Sequence, residues 1–147
     1  MKYFTQDWWA SGCADEAVFT AYQKYYRSIS SALPLALRSL LDEHTLHDSN
    51  VMEIDSDFLS KTVTIQLNGW DTKFEKRLTY RLSFRGVTRL VQTLPRLECD
   101  SYGADDLGYY EVEVVEKLIE FRALFASDAE LKILFTDFAF TATANET

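Results

Sequence analysis

Residues 62–85, TVTIQLNGWDTKFEKRLTYRLSFR, decide the fold class of this chain. Apolar side chains occupy every second position from Val63 to Leu67, and the turn signal Asn68-Gly69 follows. The same alternation resumes in the second half of the stretch and ends at Phe84. This period of two is typical of strands with one buried face. We therefore predict a hairpin of an antiparallel sheet, turning at Asn68-Gly69.

Upstream of this hairpin, apolar side chains follow the spacing of helices. They recur every three to four positions from Ala14 to Ile29 and again from Leu33 to Leu41, on either side of Ser30-Ser31. Such stripes are typical of amphipathic helices that pack on a core. Pro34 suits the first turn of the second helix, where an N–H would have no partner in any case. We therefore predict two main helices between residues 14 and 43.

Downstream of the hairpin, the alternation of strands returns. It is clear in residues 110–114 and on both sides of a turn near Ser127-Asp128. The apolar positions then change parity, which predicts a bulge near Thr136-Asp137. Residues 142–147 are small and polar, so we expect them to form a frayed tail.

Together these patterns predict an α+β fold in a single domain spanning residues 1–147. The helices, in residues 1–48, pack on one face of an antiparallel sheet of about five or six strands, built from residues 49–141. The side chains that we expect to be buried are Tyr22, Tyr25, Leu37, Leu40, Ile65, Leu82, Val112, Ile133 and Phe135.

The chain is acidic, and its charge is segregated along the sequence. It has 15 Lys and Arg against 23 Asp and Glu, which gives a net charge of -8. Residues 61–96 carry 8 basic and 2 acidic side chains, whereas residues 97–147 carry 3 and 12. A nucleic-acid partner requires a positive electrostatic footprint, so we expect no nucleic-acid binding.

The basic segment places its arginines on one face of a strand. Arg77, Arg81 and Arg85 fall on the face opposite the apolar positions, because side chains alternate across a strand. Glu111 and Glu113 form a matching acidic face on a later strand. Opposite charges on neighbouring strands attract each other. We therefore predict that one of these arginines pairs with Glu111 or Glu113.

The sequence also bears on location and redox state. The opening segment, MKYFTQDWW, lacks the apolar core of a secretory signal, and no apolar run approaches the length of about 20 residues that a membrane helix needs. We therefore expect a cytoplasmic protein with no membrane partner. Cys13 and Cys99 are too few for a disulfide framework, so we expect both to be reduced thiols.

Candidate catalytic and metal-binding groups are sparse. His44 and His47 form the one cluster with metal-ligand residue types, but histidines also suit the C-terminus of a helix. Asp55 with Asp57, and Asp105 with Asp106, are carboxylate pairs in polar segments where solvation keeps them ionised. We therefore predict no catalytic site, no metal and no cofactor, and keep an enzyme based on these groups as an alternative.

A protein partner is the remaining prediction from the residues alone. The segment SYGADDLG, residues 101–108, suggests an acidic loop, and aromatic side chains flank it. Aromatic side chains beside charge are typical of binding hot spots. The predicted partner-binding residues are Trp70, Asp100, Tyr102, Asp105, Asp106 and Tyr109. A structural subunit that assembles through its sheet or helix surface is a further alternative, and the sequence leaves the oligomeric state open.

Several short motifs resemble a family of small bacterial proteins of unknown function. They are the opening MKYFTQDWW, the pair Tyr25-Tyr26, the helix entry Leu33-Pro34 and the pair His47-Asp48 that leads into strands. Members of that family begin with a similar MKYFT-E-W segment. The resemblance implies a small bacterial cytosolic α+β protein, and it carries no catalytic residues to transfer.

Two later segments resemble sheet segments of that family and of several immunity proteins from bacterial polymorphic toxin systems. They are LTYRLSFRGV at 78–87 and ELKILFTDFAF at 130–140. The resemblance implies toxin neutralisation by direct binding. Toxin domains that act on nucleic acid tend to be basic, and an acidic surface attracts such a domain electrostatically. We therefore expect a non-enzymatic binding protein with a basic toxin domain as its partner.

Overall fold

The structure is a computed structural model that describes residues 1–95 and 105–145. These residues form three α-helices, α1 (Gln6–Ala10), α2 (Ala17–Ile29) and α3 (Leu35–Glu43), and an antiparallel sheet. The α+β fold is confirmed. No helix among the described residues is long and apolar enough to cross a membrane.

The sheet has eight strands in the described residues, so the prediction of five or six was wrong. In chain order they are β1 (Ser49–Asp57), β2 (Thr62–Trp70), β3 (Arg77–Arg85), β4 (Arg89–Gln92), β5 (Asp106–Val115), β6 (Leu118–Phe125), β7 (Glu130–Phe135) and β8 (Asp137–Ala144). Their order across the sheet is β4-β7-β6-β5-β1-β2-β3-β8.

The strand count exceeds the prediction because two long segments are each interrupted once. β3 continues into β4 through Gly86, which has a positive φ of 62°, and β7 continues into β8 through Thr136. The interruptions face each other, since the Thr136 N–H donates to the Arg85 carbonyl at 3.1 Å. The bulge predicted near Thr136-Asp137 is therefore a break between two strands. It lets β7 pair with β4 and β8 pair with β3, which brings the two ends of the sheet together.

The hairpin of β2 and β3 turns later than predicted. Asn68-Gly69 lies inside β2, and the turn occupies residues 71–76. Position 69 requires glycine because other side chains lie too close for a Cβ, which would be 2.4 Å from Ser49 Oγ and 3.0 Å from the Tyr80 ring. Trp70 is consequently the last residue of a strand and is not part of the turn.

The predicted frayed tail is wrong for residues 142–144. β8 extends to Ala144 because its partner β3 begins at Arg77, and the pairing of Leu78 with Ala144 holds the end of the strand. The Asn145 N–H adds a bond to the Arg77 carbonyl at 3.2 Å. Backbone pairing therefore orders a segment whose small polar side chains gave no strand signal.

The core lies between the helices and the curled sheet. Seven of the nine side chains predicted to be buried are buried: Leu37, Leu40, Ile65, Leu82, Val112, Ile133 and Phe135. The other two, Tyr22 and Tyr25, are half-buried. Their hydroxyls accept hydrogen bonds from the N–H groups of Val112 and Val114, each at 3.0 Å.

These tyrosines cover an otherwise open strand edge. Among the described residues, β1 pairs with β5 only through Ser49 and Asn50. Beyond that point the β5 edge faces α2, and unpaired N–H groups there need other acceptors. The tyrosine hydroxyls supply them, which fixes α2 beside β5 and forms one wall of the site described next.

Candidate functional site

The predicted partner-binding residues that the structure describes lie where β1, β3 and β5 begin and β2 ends. They are Trp70, Asp105, Asp106 and Tyr109, whereas Asp100 and Tyr102 lie outside the described residues. Strand pairing brings these chain segments together, since Asn50 faces both Asn68 and Asp106.

Three carboxylates form an acidic surface here, which we define as Asp48, Asp105 and Asp106. The Asn50 side-chain amide donates a hydrogen bond to Asp106. Burial, followed by the negative charges of Asp105 and Asp48, raises the pKa of Asp106, and the nearby Arg77 guanidinium partly offsets this increase. Asp105 and Asp48 therefore repel the Asp106 carboxylate, and a cationic partner would relieve that repulsion.

Trp70 and Arg77 form a stacked pair beside this acidic surface. The Arg77 guanidinium carbon lies 3.8 Å from the centre of the Trp70 ring, which is a close cation–π contact. The pair is a cross-strand neighbour pair of β2 and β3. Trp70 is half-buried, so its ring contributes both to this stack and to the surface.

The predicted pairing of the arginines of β3 with Glu111 or Glu113 is wrong. β1 and β2 lie between β3 and β5 in the sheet, so these side chains are not on neighbouring strands. Arg85 instead pairs with Asp137 of β8, at 3.0 Å. Both glutamates instead contact Arg122, which lies on β6, the true neighbour of β5.

Tyr109 serves mainly as a packing residue. Its ring makes edge contacts with Trp8 and Trp9, at centroid distances of 5.0 and 5.2 Å, and stacks on Phe4 at 5.5 Å. Its hydroxyl lies 3.3 Å from the free thiol of Cys13. Burial and this contact raise the pKa of Tyr109 to about 12, so the phenol stays neutral. Cys99 lies outside the described residues.

An aromatic cleft of about 430 Å³ adjoins Tyr109, between α2 and the start of β5. Its walls include the rings of Phe4, Phe19, Tyr22, Tyr26 and Tyr110, together with His47. This volume falls within the usual range for clefts that bind small ligands. Sequence reasoning missed it, because its walls come from four separate segments of the chain.

The structure separates His44 from His47. His44 contacts the hydroxyl of Tyr80 at 3.3 Å and packs edge-on against Phe140. His47 points the other way, and its Nδ1 bonds to the Gly108 carbonyl while its Nε2 lies 3.5 Å from Asp48 Oδ1. In the part of the chain that the structure describes, no three His, Cys, Asp or Glu side chains converge as a metal site would require.

Of the carboxylate pair Asp55 and Asp57, Asp57 holds a turn of the backbone. Asp57 Oδ1 accepts the N–H groups of Leu59 and Ser60, at 2.9 and 3.1 Å, in the turn between β1 and β2. These hydrogen bonds lower the pKa of Asp57 below its usual value. A general acid at neutral pH needs the opposite shift, so Asp57 is suited to holding the turn.

A buried ionic network next to the site was also missed by sequence reasoning. The side chain of Glu111 is fully buried, and its carboxylate accepts the N–H groups of Lys2, Tyr3 and Phe4. Arg122 Nε lies 2.9 Å from the same carboxylate. Glu111 therefore fixes the N-terminal segment against β5 and places the Phe4 ring in the wall of the cleft.

Comparison with known proteins identifies the family. A family model described as "Protein of unknown function (DUF4085)" matches residues 3–134. The chain belongs to this family. No curated protein matches it. A solved structure titled "Crystal structure of an uncharacterized protein from Neisseria gonorrhoeae" is similar over 64% of this chain and 90% of that chain, with 14% identity and a TM-score of 0.46.

Family membership confirms one part of the resemblance inferred from sequence motifs. The motifs indicated a family of unknown function, and the model of such a family matches residues 3–134 of this chain. The resemblance to immunity proteins is a separate matter and enters the proposal below.

Proposed function

We propose that this DUF4085 protein is a non-enzymatic binding protein that neutralises a basic bacterial toxin domain through its acidic surface. The observation that carries the proposal is the convergence of Asp48, Asp105 and Asp106 beside the stacked Trp70–Arg77 pair. A toxin domain that acts on nucleic acid presents cations where phosphates enter. An acidic surface that docks there would block that entrance.

Electrostatics supports fast encounter with such a partner. The net charge of -8 creates a long-range field that attracts a basic domain, and the acidic surface concentrates that field at one end of the sheet. Burial raises the pKa of Asp106, and the repulsion from Asp105 and Asp48 that adds to this increase is present before binding. Part of the cost of bringing these carboxylates together is therefore already met in the free protein.

The resemblance of residues 78–87 and 130–140 to immunity proteins supports the same role. Residues 78–87 hold β3 except for Arg77, and residues 130–140 hold β7 and the first half of β8, which pairs with β3. They are structural, so the resemblance points to a shared framework. The choice of partner would then depend on the surface residues that the framework carries.

The proposal predicts that a secreted protein with a basic C-terminal domain is encoded directly upstream of this chain, and co-expression with that domain tests it. We expect the wild-type protein to restore growth to cells that make this domain and to co-elute with it in size-exclusion chromatography. If the domain stays lethal in the presence of excess protein and no complex elutes, the proposal is wrong.

A matched pair of variants separates the acidic surface from overall charge. The first carries Asp48→Asn, Asp105→Asn and Asp106→Asn, and the second carries Glu53→Gln, Asp55→Asn and Glu116→Gln at exposed positions elsewhere. Both lose three negative charges. We expect only the first to lose protection, and equal loss in both would show that net charge alone is responsible.

A further inference from the structure

We propose that the aromatic cleft between α2 and β5 receives one arginine side chain of the protein partner. This inference rests on the proposed function and deepens it, since it names the chemical group that the partner inserts beside the acidic surface. The cleft adjoins that surface directly, because His47 lines the cleft and its Nε2 lies 3.5 Å from Asp48 Oδ1.

The walls of the cleft suit a flat cation. Most of the lining is aromatic, including Phe4, Tyr22, Tyr26 and Tyr110. The faces of aromatic rings attract cations, and a guanidinium group stacks on them more readily than an ammonium group. The protein already makes this contact within itself, where Arg77 stacks on Trp70 at 3.8 Å.

One end of the cleft carries a carboxylate. A carbonyl oxygen only accepts, so His47 Nδ1 donates to the Gly108 carbonyl. His47 Nε2 lies 3.5 Å from Asp48 Oδ1, and the Asp48 side chain is 58% exposed, so this carboxylate can also accept hydrogen bonds from a ligand.

The charges around the cleft favour cation binding at the His47 and Asp48 end over the α2 and α3 side. On the α2 and α3 side, Tyr26 donates a hydrogen bond of 2.6 Å to Asp42. Arg38 lies close enough to Tyr26 to oppose the effect of Asp42 on the pKa of that phenol, so this end of the cleft carries a positive charge as well as a carboxylate. The anionic end of the cleft is therefore the His47 and Asp48 end, where the Asp48 carboxylate can accept from the donors of a guanidinium group.

Binding of N-acetyl-arginine amide, followed by NMR, tests the inference on the intact protein. A ligand of this size in a suitable cleft is expected to bind with a dissociation constant on the order of 1 mM. We expect shifts of the His47, Tyr26 and Tyr110 resonances. N-acetyl-citrulline amide has nearly the same shape without the charge, so we expect it to leave these resonances unchanged.

The Asp48→Asn variant tests the anionic end with little risk to the fold. Asp48 has a positive φ of 58°, a conformation that asparagine also tolerates. We expect the variant to weaken arginine amide binding about tenfold, the usual effect of losing one charge-assisted hydrogen bond. The control is Asp42→Asn, which we expect to change the affinity by less than about twofold because Asp42 already accepts a hydrogen bond from Tyr26 and has Arg38 nearby.

Each other outcome overturns the inference. Equal binding of the citrulline or lysine amide would show that the cleft does not select a guanidinium group. No shift at a concentration about tenfold above the expected constant would show that the cleft is not a cation site. If the upstream-encoded domain binds while the arginine amide does not, only the cleft assignment fails. If the amide binds and the domain does not, only the proposed function fails.

Discussion

The substitution Glu111→Gln tests how the N-terminal segment is held, because it removes one charge and almost no volume. In the native protein the Glu111 carboxylate accepts three backbone N–H groups, including those of Tyr3 and Phe4 at 2.9 and 3.1 Å. It also lies 2.9 Å from Arg122 Nε. A glutamine retains one acceptor oxygen and turns its amide nitrogen toward donors, so at least one donor loses its partner.

The size of the loss follows from the surroundings of Arg122. Removing one partner of a buried ion pair generally costs about 3 to 5 kcal/mol, because the other charge is left buried and unpaired. Here Arg122 keeps hydrogen bonds to Glu113 and Glu120, at 2.7 and 3.0 Å. We therefore expect the low end of the range, about 3 kcal/mol, which a domain with a typical stability of about 5 to 15 kcal/mol survives.

Urea unfolding followed by tryptophan fluorescence measures this loss. With a slope of about 2 kcal/mol per molar urea, a loss of about 3 kcal/mol lowers the unfolding midpoint by roughly 1.5 M. The control is Glu113→Gln, whose carboxylate binds the same arginine but is partly exposed. We expect the control to lose about 1 kcal/mol, the usual value for a partly solvated pair.

Equal midpoints for Glu111→Gln and its control would refute this account of the buried network. Amide hydrogen exchange provides an independent check on the mechanism. Residues 2–4 should exchange faster in Glu111→Gln than in Glu113→Gln, because only the first change removes their acceptor. A stability loss without faster exchange in this segment would mean that Glu111 does not hold it.

Three further predictions concern the same region. Gly108→Ala places a Cβ 2.3 Å from the Trp9 ring. We therefore expect a shifted Trp9 fluorescence emission and a stability loss of about 1 to 2 kcal/mol. Unchanged emission would contradict the close approach. Tyr22→Phe with Tyr25→Phe removes the acceptors of two β5 N–H groups. We expect each substitution to lower the free energy of unfolding by about 1 kcal/mol and to speed hydrogen exchange of its amide. Unchanged exchange would contradict the role of α2. Burial alone would raise the pKa of Glu113, but hydrogen bonds from Arg122 and Lys2 lower it overall. Its contribution to stability is therefore present above the unfolded-state pKa and is lost as the pH falls through the folded-state pKa. Glu113→Gln should reduce this loss of stability at acid pH, and an unchanged loss would contradict the assignment.

The parts of the fold that follow from local patterns were predictable from the sequence. Alternation in residues 62–67 gave β2, and helical spacing gave α2 and α3, because burial of one face imposes a period on each segment separately. The break at Thr136 was visible only as a change of parity. Its effect on the strand count depends on pairing with the segment around Gly86, and that contact is not local.

The candidate site was predicted in part for the same reason. The acidic residues and Trp70 could be assigned to the surface from their residue types. Strand pairing then placed Arg77 against the Trp70 ring and near Asp106. Tyr109 could not be assigned from its residue type, because its burial depends on Trp8 and Trp9 far away in the sequence.

The pairing of Glu111 with Arg122 did leave a signal in the sequence. The two-residue turn at Glu116-Lys117 sets the register of β5 against β6, and counting outward from it places Glu111 opposite Arg122. The choice of the β3 arginines as partners ignored this closer strand. Charge complementarity in sequence predicts pairing only after the order of strands is known.

The association rate of this protein with the upstream-encoded basic domain, measured against ionic strength, tests the central claim most directly. We expect fast association that slows steeply with added salt, because exposed charges are screened within about 10 Å at 0.1 M. The variant with asparagine at positions 48, 105 and 106 should associate at least about tenfold more slowly at low salt and depend less on salt. If this variant and the wild-type protein show the same rate and the same salt dependence, the acidic surface is not the binding surface.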